Sequence, residues 1–143
     1  MPCAHLTVDG DIAGKEKEYA GPGNGGTYLR SIYHYDDHGD ILQLEQYNDD
    51  SSLNKKFAFT YNDKLRVTEC KVYNAANVLT YRVIYKYNNN LETGYTIYDL
   101  AKKQTNQYDF EYSSFDAHNN WQQKVIDKNH QPFAQTVRKI SYY

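Results

Sequence analysis

The sequence predicts an all-β fold, an antiparallel meander of about nine or ten strands built from tandem β-hairpin repeats. Three observations lead to this prediction: an aromatic triplet recurs along the chain, a second aromatic mark recurs between the triplets, and turns rich in Asn and Asp separate the two. A chain of 143 residues is one domain's worth of sequence. We therefore expect a single repeat domain over residues 1–143, with residues 1–27 as an irregular or atypical first repeat.

The first mark is an aromatic-x-aromatic triplet that ends a predicted strand. The triplets begin at Tyr33, Phe59, Tyr85 and Phe110, at spacings of 26, 26 and 25 residues, and Ile140-Ser141-Tyr142 closes the series. Side chains alternate along a strand, so the first and third residues of each triplet share a face. Charged residues such as Arg82 fall on the opposite face. This pattern is typical of an antiparallel strand that is dry on one side.

The second mark predicts the other strand of each hairpin. These strands end at Tyr47, Tyr73, Tyr98 and Ile126, and they begin with Ile41, Leu65, Leu91 and Trp121. One of them is a residue shorter than its neighbour, a difference that a β-bulge would absorb. The segment Asp9–Ile12 resembles His38–Ile41, and Tyr19 then takes the place of Tyr47. The repeats therefore extend back almost to the start of the chain.

The turns and the aromatic face complete the predicted architecture. Turns such as 36–40, 62–64, 88–90 and 116–120 are rich in Asn, Asp and Gly, which tolerate positive φ and bond their own backbone. The Gly-rich stretch 21–26 is typical of a hairpin connection. An aromatic face of this size should not stay in water. We therefore expect the meander to curl into a barrel-like or half-barrel sheet.

Composition narrows the class of protein. The net charge is −2 with interspersed signs, which gives no footprint for nucleic acid. No apolar run is long enough for a membrane helix, so membrane insertion is not expected. The start of the chain lacks the pattern of a signal peptide, and the compartment stays open between periplasmic or secreted and cytoplasmic. Cys3 and Cys70 are too few for a disulfide framework, and we expect two free thiols.

The triplet Tyr33-His34-Tyr35, followed by Asp36 and Gly39, resembles the motif of the YD-repeat or RHS-repeat proteins. The stretches 115–121, 127–129 and 138–143 resemble the closing repeat of short YD-like bacterial proteins. The resemblance implies tandem antiparallel hairpins. In large members these hairpins build a shell around a toxin segment, but this chain is too short to enclose anything. The resemblance therefore implies the fold and a role in bacterial surface, envelope or secretion biology.

Few residues suggest catalysis, metal binding or ligand binding. The five candidates for ligand or partner contact are Trp121, His34, His38, Asp109 and Glu111. A divalent cation could bind near His34 and His38, but a polar Asx turn is the favoured interpretation, so no metal and no cofactor are expected. Asp109 and Glu111 share a strand face and are expected to pair with cations such as Arg82 and Lys86 rather than to act as an acid–base pair. No nucleophile motif is visible, and we expect no enzyme.

Two classes of function stay open. The first is a non-catalytic protein-interaction or structural module of a bacterial surface, envelope or secretion-associated system, with a toxin-neutralising immunity protein as one form. A protein partner and a homodimer through edge strands both belong to this class. The alternative is binding of a carbohydrate or small ligand by the aromatic-lined sheet, with Trp121 as the leading contact. A central pocket lined by Tyr33, Tyr85 and Tyr112 would favour the alternative.

Overall fold

A computed structural model of the chain describes residues 16–22 and 28–141. These residues form ten strands in one antiparallel sheet whose spatial order equals the chain order. The strands are β1 (Glu16–Pro22), β2 (Tyr28–Tyr35), β3 (Ile41–Tyr47), β4 (Leu53–Tyr61), β5 (Val67–Tyr73), β6 (Leu79–Asn88), β7 (Leu91–Asp99), β8 (Gln104–Phe115), β9 (Trp121–Lys128) and β10 (Gln131–Val137). Nothing in the described residues forms a helix that could cross a bilayer.

The all-β meander is confirmed, but the sheet does not close into a barrel. Within the described part of the chain each strand pairs only with its neighbours in sequence, and β1 and β10 are the two edges. Short connections make sequential strands adjacent in space, which is why the repeat alone predicts the topology. The repeat does not determine whether the sheet closes into a barrel, because closure requires the two edge strands to pair with each other.

The aromatic residues of the triplets lie on one face of the sheet, as predicted. Direct pairing continues one row from Phe59 through Cys70 and Val83 to Ile97, and another from Tyr85 through Tyr95 to Tyr108. Cys70, Val83 and Phe110 are buried at the centre of this aromatic face. The opposite, polar face carries ion pairs, including those of Glu69 with Arg82 and with Lys71. One buried cluster therefore lies along β5 to β8, and further buried side chains lie on β2 and β3: Ile32, Tyr35, Ile41 and Leu44.

The third residue of three of the triplets makes a hydrogen bond that repeats along the sheet. The hydroxyls of Tyr61, Tyr87 and Tyr112 donate to carbonyl oxygens 20 residues earlier, at distances of 2.7, 2.8 and 2.7 Å. The acceptors belong to Ile41, Val67 and Glu92, each on the preceding strand of the sheet. Each acceptor residue lies at a β-bulge, because the register shifts where Ile41, Val67 and Glu92 pair with Tyr35, Tyr61 and Tyr87. A bulge leaves backbone groups unpaired in the ladder, so the carbonyl oxygen can accept the hydroxyl. The triplet thus encodes a side-chain bond to the preceding strand, beyond the last backbone pair of those two strands.

The second aromatic mark also has a structural role, on the polar face. Tyr47, Tyr73 and Tyr98 each lie directly opposite a cation on the preceding triplet strand. The cations are Arg30, Lys56 and Arg82, at 5.1, 4.5 and 5.9 Å from the ring centroids. Their spacing of 26 residues, 56 − 30 and 82 − 56, equals that of the triplets. These three hairpins are therefore each closed by a cation–π pair on the face opposite the triplet.

Five turns have one common geometry. In the turns 36–40, 48–52, 62–66, 74–78 and 116–120, the first residue's N–H bonds the fifth residue's carbonyl oxygen at 2.9–3.0 Å. In four of them an Asp or Asn at the first position also accepts two backbone N–H groups, as Asn62 does from Lys64 and Arg66. The fourth position takes positive φ, and Gly39, Ser51, Asn77 and Asn119 occupy it in four turns.

Leu65 departs from the prediction because it occupies this fourth position in the turn 62–66. It does not begin the second strand of its hairpin: β5 starts at Val67, and Leu65 has a φ of 57° and an exposed side chain. The apolar character of Leu65 suggested a strand residue. The Asx turn set by Asn62 is longer than its three polar residues indicated, and it places Leu65 in the left-handed region.

Other boundaries also differ from the sequence-based prediction. The polar stretch 128–132 predicts a longer last turn, but only Asn129 and His130 form it, and Gln131 and Pro132 belong to β10. Ile140 and Ser141 of the closing triplet are not in a strand, and Tyr142 lies outside the described residues. Gly21 and Pro22 belong to β1 rather than to a connection. The predicted repeat at Asp9–Ile12 and the remainder of the Gly-rich stretch lie outside the described residues.

Cys70 differs from the free thiol that we expected. It is disulfide-bonded, and its exposed fraction is 0% at the centre of the aromatic face. The rings of Phe57, Phe59 and Tyr85 are among the side chains that pack around it. Cys3 lies outside the described residues. The prediction of a free thiol at position 70, which rested on the small number of cysteines, is therefore wrong.

Candidate interaction surface

At the β8–β10 end of the sheet, aromatic rings and cations alternate on the aromatic face. Tyr108, Phe110 and Tyr112 of β8 lie directly opposite Lys128, Ile126 and Lys124 of β9. The Lys124 ammonium lies 3.5 Å from the Phe110 ring centroid, and Lys128 lies 5.7 Å from that of Tyr108. Partial burial lowers the pKa of Lys124. We use the name β10 surface for these residues of β8 and β9, strand β10, and the contact between Trp121 and Arg138 that is described next.

Two further rings bound the β10 surface. Phe133, on β10, meets Tyr108 edge-on with ring centroids 5.8 Å apart, and 60% of its surface is exposed. Trp121, at the start of β9, packs against Tyr112 at 5.3 Å. The Arg138 guanidinium covers the Trp121 ring at 3.7 Å, and its Nε donates to the Trp121 carbonyl oxygen at 2.5 Å. One face of the indole is therefore occupied by a side chain of the protein itself.

Strand β10 is exposed along its whole length, Gln131–Val137. It carries no charged residue, and Pro132 and a register shift near Phe133 are its only irregular features. Natural edge strands are usually guarded against further pairing by charges, Pro or bulges. The other edge strand, β1, has Glu16, Lys17 and Glu18 in its sequence. Of the two edges, β10 is the one without charged residues.

On its outer side, the backbone of β10 has positions that pair with no other described strand. The Arg138 N–H donates to the Gln122 carbonyl oxygen at 2.9 Å, and the register from Ala134 to Val137 continues that pairing. Hydrogen-bonded and non-hydrogen-bonded pairs alternate along an antiparallel ladder. Thr136 therefore bonds toward β9, whereas the N–H and C=O groups of Gln135 and Val137 point away from the sheet. These outward groups can pair with one more strand.

Charges are segregated across this end of the sheet. Lys124 and Lys128 lie on the aromatic face, with Arg138 beside them. Asp109 pairs directly with Asp127, and Glu111 with Val125, so these acidic side chains lie on the polar face. A strand added at β10 would therefore meet cations on one side of the sheet and carboxylates on the other.

The sequence-predicted site residues do not come together. Trp121 belongs to the β10 surface, whereas His34 lies on β2, six strands from β8 and roughly 29 Å away at ~4.8 Å per strand. His34 contacts Glu45 at 3.6 Å. His38 is exposed in the turn 36–40, where its N–H donates to Asp36 at 2.9 Å. Hydrogen bonds from the N–H groups of Asp40 and His38 hold the pKa of Asp36 below its usual value.

Asp109 and Glu111 lie on the polar face of β8. Asp109 contacts the Lys86 ammonium at 3.3 Å and accepts a hydrogen bond of 2.7 Å from Gln107. Lys86 and Asp109 are two strands apart, and the residue between them in the pairing is Gly94, which has no side chain to separate them. Arg82 bonds Glu69 rather than an acid of β8. Glu111 is exposed.

A shallow cavity of about 150 Å³ lies elsewhere, between β4, β5 and β6. Its lining includes Phe57, Val72 and Tyr81, and none of Tyr33, Tyr85 or Tyr112. Pockets for drug-sized ligands usually measure roughly 300–1,000 Å³. This cavity is small for a ligand, and it is not the central aromatic pocket that the carbohydrate alternative requires.

Sequence reasoning missed most of the β10 surface. Lys124, Lys128, Phe133 and Arg138 were not among the candidates, because their importance depends on which strand is the edge. Among the described strands, Gln131–Val137 alone has no charged residue, and this neutrality was a usable signal. The fold and this surface define an open, single-sheet β-hairpin-repeat protein. Comparison of the chain with protein-family models and with curated proteins finds no match.

Proposed function

We propose that the protein is a non-catalytic interaction module that binds an extended segment of a partner protein as an eleventh strand beside β10. The observation that supports this most is the neutral, exposed edge with outward backbone groups at Gln135 and Val137. Strand addition of this kind takes its affinity from main-chain hydrogen bonds and its specificity from alternate side chains.

The charges beside β10 favour a particular partner. Lys124, Lys128 and Arg138 lie near the edge on the aromatic face. A partner strand with acidic residues on that face would complement them, because opposite charges steer association and fix register. The bacterial surface, envelope or secretion context, including a toxin-neutralising role, is proposed on the resemblance to YD-repeat proteins alone.

The carbohydrate alternative has weaker support. Trp121 is the ring best suited to stack on a sugar, but the Arg138 guanidinium already covers one of its faces at 3.7 Å. Most Tyr rings form the structural ladders and pack on one another. We therefore favour the interaction module.

The test uses a synthetic peptide of alternating Glu and Val, with an alternating Lys and Val peptide as its charge control. Titration calorimetry should show binding of the acidic peptide and weaker binding of the basic one. The variant Gln135→Pro removes an outward N–H and should abolish binding, while Gln135→Ala keeps the N–H and should bind as the wild type does. Equal binding by both variants would contradict strand addition at β10.

A homodimer through the same edge is a separate outcome of this experiment. Sedimentation of the wild type without peptide would show a dimer, and Gln135→Pro would restore the monomer. A dimer that persists in Gln135→Pro would place the contact elsewhere, outside the β10 edge.

A further inference from the structure

One row of paired residues on the aromatic face becomes smaller toward the β10 edge. Phe110 pairs directly with Ile126, and Ile126 pairs with Ala134. Phe110 is buried and Ile126 packs against the same cluster, whereas Ala134 is exposed and contributes only a methyl group. The space above Ala134 on the aromatic face is therefore open to a side chain from an added strand.

Phe133 bounds this space on one side. Its ring lies on the aromatic face, because it meets the Tyr108 ring edge-on with centroids 5.8 Å apart, and 60% of the surface of Phe133 is exposed. A large apolar side chain opposite Ala134 would contact both Ile126 and Phe133. That contact would remove apolar area of all three side chains from water. The position opposite Ala134 therefore favours a residue such as Leu or Phe in the partner.

Arg138 supplies a cation just beyond the last residue of β10. Its N–H donates to the Gln122 carbonyl oxygen, so the pairing with β9 continues to this residue. The guanidinium covers the Trp121 ring, and its Nε donates to the Trp121 carbonyl oxygen. A guanidinium has five N–H donors, and that bond uses one of them. Lys124 is less well placed for an added strand, because its ammonium lies over Phe110 on β8. The position opposite Arg138 therefore favours a carboxylate.

The geometry of the ladder brings both positions close to an added strand. Ala134, Thr136 and Arg138 alternate along the edge, so their side chains share the aromatic face. The backbone groups of these residues bond toward β9, as the bond from Arg138 to Gln122 shows. With an added strand they would therefore form non-hydrogen-bonded pairs, in which Cα atoms are only about 4.5 Å apart and side chains are closer. The residues opposite Ala134 and Arg138 would contact them directly.

We infer that the partner segment is an antiparallel strand with a carboxylate opposite Arg138 and a large apolar residue opposite Ala134. In an antiparallel strand the residue opposite Arg138 comes first, so the recognised pattern is acid-x-x-x-apolar from the N-terminus of the segment. Every strand pair among the described residues is antiparallel, and parallel pairing is slightly less stable. The inference rests on the strand addition proposed above and specifies the residues of the partner.

The test measures the binding of short peptides to the full chain by titration calorimetry. The reference peptide contains the sequence Glu-Val-Thr-Gln-Leu in a neutral host, so that its Glu meets Arg138 and its Leu meets Ala134. Replacement of Leu by Ala should weaken binding about tenfold, and replacement of Glu by Gln about threefold. A peptide with the reversed order, Leu-Gln-Thr-Val-Glu, has the same composition and should bind more weakly than the reference.

Variants of the protein assign each preference to one contact. Arg138→Gln should remove the preference for Glu over Gln and leave that for Leu over Ala, whereas Arg138→Lys retains the charge and should keep part of the preference for Glu. Ala134→Leu fills the space and should reduce the preference for Leu to less than about twofold. Gln135→Leu places the same side chain on the opposite face and should leave the preference unchanged. Salt at about 0.5 M should weaken the preference for Glu alone.

The outcomes distinguish this inference from the proposed function. Equal binding of all the peptides by the wild type, with loss of binding in Gln135→Pro, would leave strand addition standing and overturn the inference. A preference for Leu that survives in Ala134→Leu, or a preference for Glu that survives in Arg138→Gln, would place the contacts elsewhere and also overturn it. If no peptide binds, the function proposed for β10 fails and the inference fails with it.

Discussion

The hydroxyl of Tyr61 donates a 2.7 Å hydrogen bond to the carbonyl oxygen of Ile41, on the neighbouring strand. The paired residues of β3 and β4 end at Gln43 and Ala58, so this bond joins the two strands beyond the end of their backbone ladder. The same bond recurs from Tyr87 and from Tyr112. It explains why the third residue of these triplets is Tyr, whereas Phe is accepted at the first position in two of them.

Tyr61→Phe should therefore destabilise the protein, because it leaves the half-buried Ile41 carbonyl oxygen without its donor. We expect a loss of about 1–2 kcal/mol in the free energy of unfolding, measured by urea denaturation. Tyr73→Phe is the matched control, since the ring of Tyr73 contacts Lys56 and its hydroxyl makes no hydrogen bond with the described residues. That control should lose less than about 0.5 kcal/mol. Equal losses would show that the hydroxyl of Tyr61 contributes nothing.

Leu65→Asn should stabilise the protein. Leu65 has a φ of 57° and an exposed side chain, and a left-handed conformation costs an ordinary residue roughly 1–2 kcal/mol, less for Asn. We expect a gain of about 1 kcal/mol in the free energy of unfolding. The reverse exchange at the equivalent position, Asn77→Leu, should lose a similar amount. A neutral effect in both variants would indicate that these turns relax without cost.

Gly94→Ala should destabilise the protein strongly. A Cβ at position 94 would lie 2.2 Å from the carbonyl oxygen of Tyr108, and the φ of Gly94 is 149°. Since that atom belongs to the backbone of β8, relief requires the β7–β8 pairing to shift, at a cost of about 3 kcal/mol or more.

Gly39→Ala separates this collision from conformational strain. Gly39 has a φ of 89°, and a Cβ there would meet nothing within 4 Å. We expect it to lose only about 1 kcal/mol in a urea titration. Equal losses in the two variants would contradict the steric explanation for Gly94.

Ionisation of Tyr85 should lower the free energy of unfolding at alkaline pH. Burial, with a contribution from Glu92, raises the pKa of Tyr85 from 10.0 to about 12. The folded state therefore keeps this proton more tightly than the unfolded state, and its contribution is full below pH 10 and is lost as pH rises to about 12. In Tyr85→Phe, the decline of the urea midpoint between pH 10 and pH 12 should be shallower. An identical decline in both proteins would exclude Tyr85 as a source.

The sequence predicted the strands and their faces because triplet spacing and side-chain alternation are local properties. It misplaced Leu65, because an apolar residue in a turn looks like the start of a strand. It also placed Ile140 in a strand, although β10 ends at Val137 and the side chain of Arg138 covers Trp121. The oxidation state of Cys70 and the closure of the sheet could not be predicted for another reason. The disulfide of Cys70 and the open β10 edge depend on residues far apart in the chain.

The pairing of every described strand with its sequence neighbours alone has a consequence for how this chain folds. Most backbone contacts span a single hairpin, so the contact order is low for an all-β protein, and formation of one hairpin requires closure of only a short loop. Stability then approaches a sum over adjacent hairpins, as in linear repeat proteins. Unfolding should begin at an outer strand and proceed inward, rather than in one global step.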